Sequence, residues 1–256
     1  MDAPYPALRK EKSSLPNPAP ATSLAIAGLV PLSTVDWPGH MAAVVFLQGC
    51  PWNCVYCHNP DLIDPHAPGT VEWQEVTELL ERRHGLLDGL VFSGGEPTRQ
   101  AALLDAARTV KNMGFKIGLH TGGSYPQRLA QLIPYLDWVG FDIKAAYPHY
   151  GAIVGTGVED QVGIVGAACA QESLAMLVDA GIDVQARTTL HPGSIAIENL
   201  PSIVDMLHEA GVGSYRLQQA RPEGAREVLD DGTPMVYDAP GWDQTFANLA
   251  HTFNYG

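Results

Sequence analysis

From about residue 42 to residue 218, short apolar runs alternate with amphipathic stretches, and no other feature restricts the fold of this chain as much. Six strand-like runs stand at 43–47, 89–92, 116–120, 138–143, 183–188 and 214–218. Most are rich in Val, Ile, Phe or Leu, the composition of parallel strands covered on both faces. Helical patterns fill the gaps. Trp73, Val76, Leu79 and Leu80 share one face, as do Leu103, Ala107 and Val110 ahead of Gly114. Further on, Leu174, Leu177 and Val178 precede Gly181, while Leu200, Ile203, Val204 and Leu207 precede Gly211. Each glycine stands where a helix would take a left-handed C-terminal cap. Repeated βα units imply an α/β fold on a parallel sheet. Six units are too few to close an eight-stranded barrel, so the sheet is expected to be an open, partial barrel or a doubly wound layer. In both, function collects at the C-terminal ends of the strands.

Charge and composition narrow the partners. The chain holds 15 Lys+Arg against 28 Asp+Glu, a net charge of −13, which works against phosphate backbones and anionic membrane surfaces; no nucleic-acid or membrane partner is expected. No run approaches the roughly 18–20 apolar residues of a membrane span. Residues 1–23 mix Pro, Ser and Ala with a short charged cluster and lack the apolar segment of a secretion signal. They are expected to be a disordered tail, with 24–256 as one domain. Of four cysteines, three lie between positions 50 and 57 and Cys169 stands alone. That distribution fits a metal site rather than a disulfide set, and hence a reducing, cytoplasmic location.

The first strand-like run leads into Gly49-Cys50-Pro51-Trp52-Asn53-Cys54-Val55-Tyr56-Cys57-His58-Asn59-Pro60. Thiolates suit zinc or an iron–sulfur cluster, but a closed zinc site takes four ligands, and clusters usually take four cysteines. Three cysteines on a cluster leave one iron open to another ligand. The alternative is a Cys3His zinc site using His58, as in a zinc-stabilised binding protein; it requires adjacent Cys57 and His58 to bend onto one ion. The second run ends in Ser93-Gly94-Gly95-Glu96-Pro97-Thr98. Here the two glycines let backbone approach a ligand closely, and Glu96 offers a carboxylate to an ammonium group.

The CxxxCxxC loop and the SGGEP segment together resemble the signatures of the radical S-adenosylmethionine superfamily. That resemblance implies a [4Fe–4S] cluster bound by Cys50, Cys54 and Cys57, with the methionine amino and carboxylate groups of S-adenosylmethionine on the fourth iron. Closer similarity runs through 28–39 (GLVPLSTVDWPG), 57–60 (CHNP), 93–98 (SGGEPT), 142–144 (DIK) and 187–189 (RTT). These stretches resemble the activating proteins of anaerobic ribonucleoside-triphosphate reductase, which are related to the pyruvate formate-lyase activating enzymes. The family implies a partial (β/α)6 TIM-type barrel, an oxidoreductase that cleaves S-adenosylmethionine to a 5′-deoxyadenosyl radical, and a glycyl radical enzyme as partner. A flavodoxin or ferredoxin would supply the electron. Ser93, Gly94, Gly95 and Glu96 would grip the methionine amino group, and Tyr56 the adenine. Asp142 and Lys144 would lie at the nucleoside, Arg187 and His191 near the methionine carboxylate and the substrate opening, and Asp36 where the partner's glycine loop enters. Thr121 would contact the ligand. The chain departs from the family at His120, where many activases carry an aspartate, so a carboxylate that could help hold a monovalent cation is missing. With Cys169 alone left over, no second cluster is expected. Two further substrates fit the same chemistry: a different glycyl radical enzyme, or a small molecule such as a deazaguanine precursor.

Overall fold

The computed structural model describes residues 19–155, 161–229 and 232–256. One sheet carries seven strands in chain order: β1 (Ile26–Ser33), β2 (Ala42–Leu47), β3 (Gly89–Gly94), β4 (Lys116–Thr121), β5 (Trp138–Asp142), β6 (Asp183–Leu190) and β7 (Ser214–Gln219). β2 to β7 run parallel, while β1 lies antiparallel on β2. The sheet does not close, so β1 and β7 form its two edges. This is the partial barrel, with all six expected strands in place and one strand added. β1 escapes a reading by periodicity because Gly28 and Pro31 interrupt it. A proline is tolerated there because β1 is an edge, and the register against β2 shifts between Val30 and Ser33.

The connecting helices are α1 (Trp73–Arg82), α2 (Leu103–Asn112), α3 (Pro126–Leu132), α4 (Tyr150–Val154), α5 (Gln161–Asp179), α6 (Ile195–Glu198) and α7 (Leu200–Glu209), with α8 (Trp242–Phe253) following β7. α1 shows how local sequence sets an element. Glu72 and Glu75 close a capping box at its start, and Trp73, Val76, Leu79 and Leu80 form its buried face. Complete burial of Leu80 alone stabilises the helix on the sheet by about 1.5–3 kcal/mol. Gly114, Gly181 and Gly211 all take the positive φ expected at helix ends.

The pleat divides the core. Ala43, Val45 and Leu47 of β2 pack with the helices, whereas Ala42 and Val44 face the lumen with Val91 and Trp138. Trp37, from the loop between β1 and β2, enters this lumen and stacks on Trp138 with ring centroids 5.7 Å apart. Its ring needs Gly89 and Gly118 on the strands beneath it: a Cβ at either would come within 3.0 Å of Trp37. The lumen is therefore plugged at the end where the parallel strands begin. Its C-terminal end is polar.

Residues 1–18 of the expected tail lie outside the described residues. The remainder of that stretch is a correction to the boundary at 23. Ala21–Ser23 form a turn, Ala21 is buried, and its N–H donates to Asp105 Oδ2 at 2.8 Å. Packing against α2 orders this segment despite its proline-rich surroundings. Among the described residues, no helix is long and apolar enough to cross a membrane.

Candidate active site

The loop after β2 is fastened on both sides. Gly49 and Cys50 donate their N–H groups to the carbonyls of Leu62 and Ile63, and Asn53 and Val55 donate to Val154 and Ile153. Buried Gln48 braces the return of the loop, its Nε2 donating to the Asp61 and Asp64 carbonyls at 2.8 and 2.9 Å. Cys50, Cys54 and Cys57 are all free thiols, Cys54 buried and the others half-buried. Burial pushes the Cys50 thiol up to about 12 and the Cys54 thiol up to about 11. Such thiols need a strongly positive centre to be held as thiolates, which a bound metal supplies. Among the described residues, no three His, Cys, Asp or Glu side chains converge on one ion. His58 is also directed elsewhere: its Nε2 accepts the Arg221 N–H at 3.0 Å.

The end of β3 is bonded to this loop. Gly95 donates its N–H to the Leu47 carbonyl and Glu96 to that of Gly49, each at 2.9 Å. A Cβ at Gly94 would lie 2.2 Å from the Leu47 nitrogen, and one at Gly95 would lie 2.4 Å from the Gly49 oxygen. The two glycines thus permit a close approach to the cysteine loop, and both also line the cavity described below. Glu96 is buried, and its Oε1 accepts from Thr98 N–H, Thr98 Oγ1 and Thr121 Oγ1 at 3.1, 2.6 and 2.7 Å. Among the described residues Oε2 accepts only the Gly122 N–H, at 3.0 Å, and so retains acceptor capacity. Burial raises the Glu96 carboxyl, and the Thr98, Thr121 and Gly122 donors pull against that shift.

Across the lumen, β5 and β6 contribute an ion triad. Asp142 Oδ2 accepts from Lys144 Nζ at 3.0 Å, while Oδ1 accepts from Arg187 Nε and Nη2 at 3.0 and 2.8 Å. The register places Asp142 directly opposite Arg187. Burial alone would raise the Asp142 carboxyl, but Arg187 and Lys144 overcome it and hold it well below the usual range. Burial likewise opposes the Lys144 charge, and Asp142 more than restores it. Lys144 Nζ lies 5.8 Å from the centroid of the Tyr56 ring, whose buried hydroxyl has no partner among the described residues.

His120 joins three elements. Its Nε2 donates to the Asp36 carbonyl at 2.8 Å, which leaves Nδ1 to accept from Ser93 Oγ at 3.2 Å. Burial, with Arg187 nearby, lowers it to about 3, so the ring is neutral. This neutral imidazole ties the loop before β2 to the ends of β3 and β4.

These groups surround one cavity of about 750 Å³. Every residue singled out from the sequence lines it except His191, whose ring stands beside Tyr56 at 6.2 Å with Nδ1 donating to the Pro192 carbonyl at 2.9 Å. Sequence reasoning missed Trp52, Gln218, Arg221 and Glu223 in the wall. The strand-end rule, applied to β7, points to the last three. Trp52 carried no signal, because its role depends on two distant glycines: a Cβ at Gly122 would lie 2.1 Å from its ring, and one at Gly166 3.2 Å.

The radical SAM superfamily profile matches residues 44–212, a span running from β2 to just short of β7 and including the cysteine loop. This chain belongs to the radical SAM superfamily. As a radical SAM protein it works with a [4Fe–4S] cluster and S-adenosylmethionine, and the donor set described above fits both. A Methanocaldococcus jannaschii protein named as a glycyl-radical enzyme activating enzyme is 30% identical over 221 residues, covering 82% of this chain and 85% of that one. The pyruvate formate-lyase 1-activating enzyme of Escherichia coli K12 is 34% identical over 119 residues, 43% of this chain and 48% of its own. The radical SAM protein is therefore homologous to glycyl-radical enzyme activating enzymes. Among solved structures, Streptococcus suis SuiB bound to S-adenosylmethionine superposes with a TM-score of 0.59 at 12% identity, over 80% of this chain and 45% of that one. TYW1 with a lysine-pyruvate adduct gives 0.52 at 16%, over 75% and 72%. At these identities the likeness concerns the fold.

Proposed function

We propose that this radical SAM protein activates a glycyl radical enzyme, and that its target is an anaerobic ribonucleoside-triphosphate reductase. The observation that carries the activase reading is the homology to an activating enzyme along 85% of that relative's length. The finer target rests on the stretches at 28–39, 57–60, 93–98, 142–144 and 187–189, which resemble the reductase activators.

Cys50, Cys54 and Cys57 would each hold one iron, leaving the fourth for the methionine end of S-adenosylmethionine. When bound, the cluster and S-adenosylmethionine supply reductive cleavage of a carbon–sulfur bond, and with it a carbon radical that takes a hydrogen atom from a glycine. The remaining work falls to side chains. Glu96 would receive the methionine ammonium on Oε2, its orientation fixed by Thr98, Thr121 and Gly122. Ser93, Gly94 and Gly95 form the wall beside it. The buried Tyr56 hydroxyl would gain a partner from the adenine. Asp142 and Lys144 would meet the nucleoside, and Arg187 the carboxylate, with His191 supporting Tyr56 from behind. Asp36, tethered through its backbone to His120, would face the partner's glycine loop. Trp37 and Trp138 keep water from reaching the cavity through the lumen. A flavodoxin or ferredoxin would deliver the electron, in the cytoplasm, and residues 24–256 would act as one domain.

Mixing the anaerobically reconstituted protein with reductant, S-adenosylmethionine and an anaerobic reductase should produce a glycyl doublet in the electron paramagnetic resonance spectrum. A doublet only with a different glycyl radical enzyme would refute the target and keep the activase. No doublet with any candidate, alongside free 5′-deoxyadenosine, would refute both.

A further inference from the structure

The sequence singles out His58 as an alternative zinc ligand, and neither the cluster nor S-adenosylmethionine requires it. The structure gives both His58 and Asn53 a shared neighbour. After β7 the chain turns back over the cysteine loop. There the Arg221 N–H donates to His58 Nε2 at 3.0 Å, and Arg226 Nη2 donates to Asn53 Oδ1. Gly224 passes so close that a Cβ, already disfavoured by its φ of +75°, would lie 2.9 Å from the His58 oxygen. The segment is itself fixed. The Tyr237 hydroxyl donates to the Arg226 carbonyl at 2.8 Å, and Met235 N–H donates to the Glu227 carbonyl at 2.8 Å. Tyr237 is buried, as is Ala220 at the start of the segment.

The placement within the motif gives these contacts a consequence. Asn53 lies between Cys50 and Cys54, and His58 directly follows Cys57, so a single segment holds the motif at two points that bracket Cys54 and Cys57. The loop's other backbone bonds run to Leu62, Ile63, Ile153 and Val154, none of them in this segment. Arg221, Glu223 and Gly224 also line the cavity. We propose that residues 220–229 form a clasp over the cluster loop, with Asn53 and His58 as positioning residues that keep it closed and thereby limit access to the cluster. The inference rests on the family membership and not on the identity of the partner, since its test needs neither partner protein nor S-adenosylmethionine.

The test is the rate at which anaerobically reconstituted protein loses iron to a strong chelator. Hydrogen bonds to a charged group contribute about 1.5–3 kcal/mol, so Arg226→Gln should speed release through local opening about tenfold or more. His58→Ala, which removes a neutral acceptor, should speed it several-fold, and Arg226→Lys should fall between Arg226→Gln and the parent. Val228→Ser, on an exposed side chain of the same segment, should release iron at the parent rate. A role confined to global stability would move the melting temperature and leave release unchanged at matched stability. Parent-like release from both Arg226→Gln and His58→Ala would overturn the proposal. Should Arg226→Gln fail to fold, amide exchange decides: the Arg221 N–H should be protected in the parent and lose protection in His58→Ala, and exchange as fast as an open loop in the parent would overturn the clasp.

Discussion

Replacing Asp142 by asparagine tests the ion triad that organises one wall of the cavity. The carboxylate accepts three N–H donors, one from Lys144 and two from Arg187, at 2.8 to 3.0 Å. The Lys144 and Arg187 side chains keep only 13% and 10% of their exposure, so neither cation can turn to water. Asparagine removes the charge and can direct an N–H₂ group at donors. Breaking a buried pair from one side costs about 3–5 kcal/mol, and since Asp142 itself keeps 29% exposure, a loss near ~3 kcal/mol is expected. Domains of this kind have about 5–15 kcal/mol in total, so the change is readily measured. Urea unfolding of the metal-free chain gives it directly. The pH dependence has a definite sign. The folded carboxyl lies below its ordinary value of 3.8, so its contribution is complete above that value and is lost only as pH falls through the folded pKa. The deficit of Asp142→Asn should therefore be constant from about pH 5 to pH 8 and shrink in strong acid. A deficit under about 1 kcal/mol, the level of an exposed pair, would refute the reasoning, as would one that varies between about pH 6 and pH 8.

His120 acts with the same sign over a higher pH window. Between its ordinary 6.5 and about 3 the unfolded chain binds a proton that the folded one does not, so stability falls with falling pH across that window, by up to about 1.4 kcal/mol per pH unit. His120→Gln should show a flatter acid limb in denaturant titrations, and an unchanged slope would contradict the neutral assignment. Gly95→Ala forces a Cβ against the Gly49 oxygen and should cost about 1–3 kcal/mol while lowering iron uptake per chain; full uptake would show that the loop yields freely. Trp37→Ala empties the lumen plug and should cost about 3–5 kcal/mol by thermal or urea unfolding, and a loss under about 1 kcal/mol would mean that Trp37 is not part of the core.

Legibility in the sequence followed local pattern. The six parallel strands could be read because each is an apolar run ended by glycine, polar residues or a helix start. α1, α2 and α7 could be read from apolar residues at helical spacing. β1 was missed because Gly28 and Pro31 break the pattern, and its strand character comes from pairing with β2. At the site, residue identities were legible wherever the chemistry needs a particular side chain, as with Cys54, Glu96 and Arg187. What stayed hidden depends on contacts between distant positions. Glu96 looks like a free carboxylate until Thr121 and Gly122 are brought to it. That Gly95 must also clear the cysteine loop shows only when Gly49 is brought against it. Residues 220–229 have no helical or strand period and gave no signal of their approach to His58.

The central claim is that three cysteines hold a cluster with one iron left for S-adenosylmethionine. Iron, sulfide and zinc analysis of anaerobically reconstituted protein, combined with the electron paramagnetic resonance spectrum of the reduced form before and after S-adenosylmethionine is added, tests it most directly. The account requires a four-iron cluster that Cys54→Ala cannot hold, with a spectrum that changes when S-adenosylmethionine binds. One zinc per chain, or a cluster whose spectrum is indifferent to S-adenosylmethionine, would contradict it.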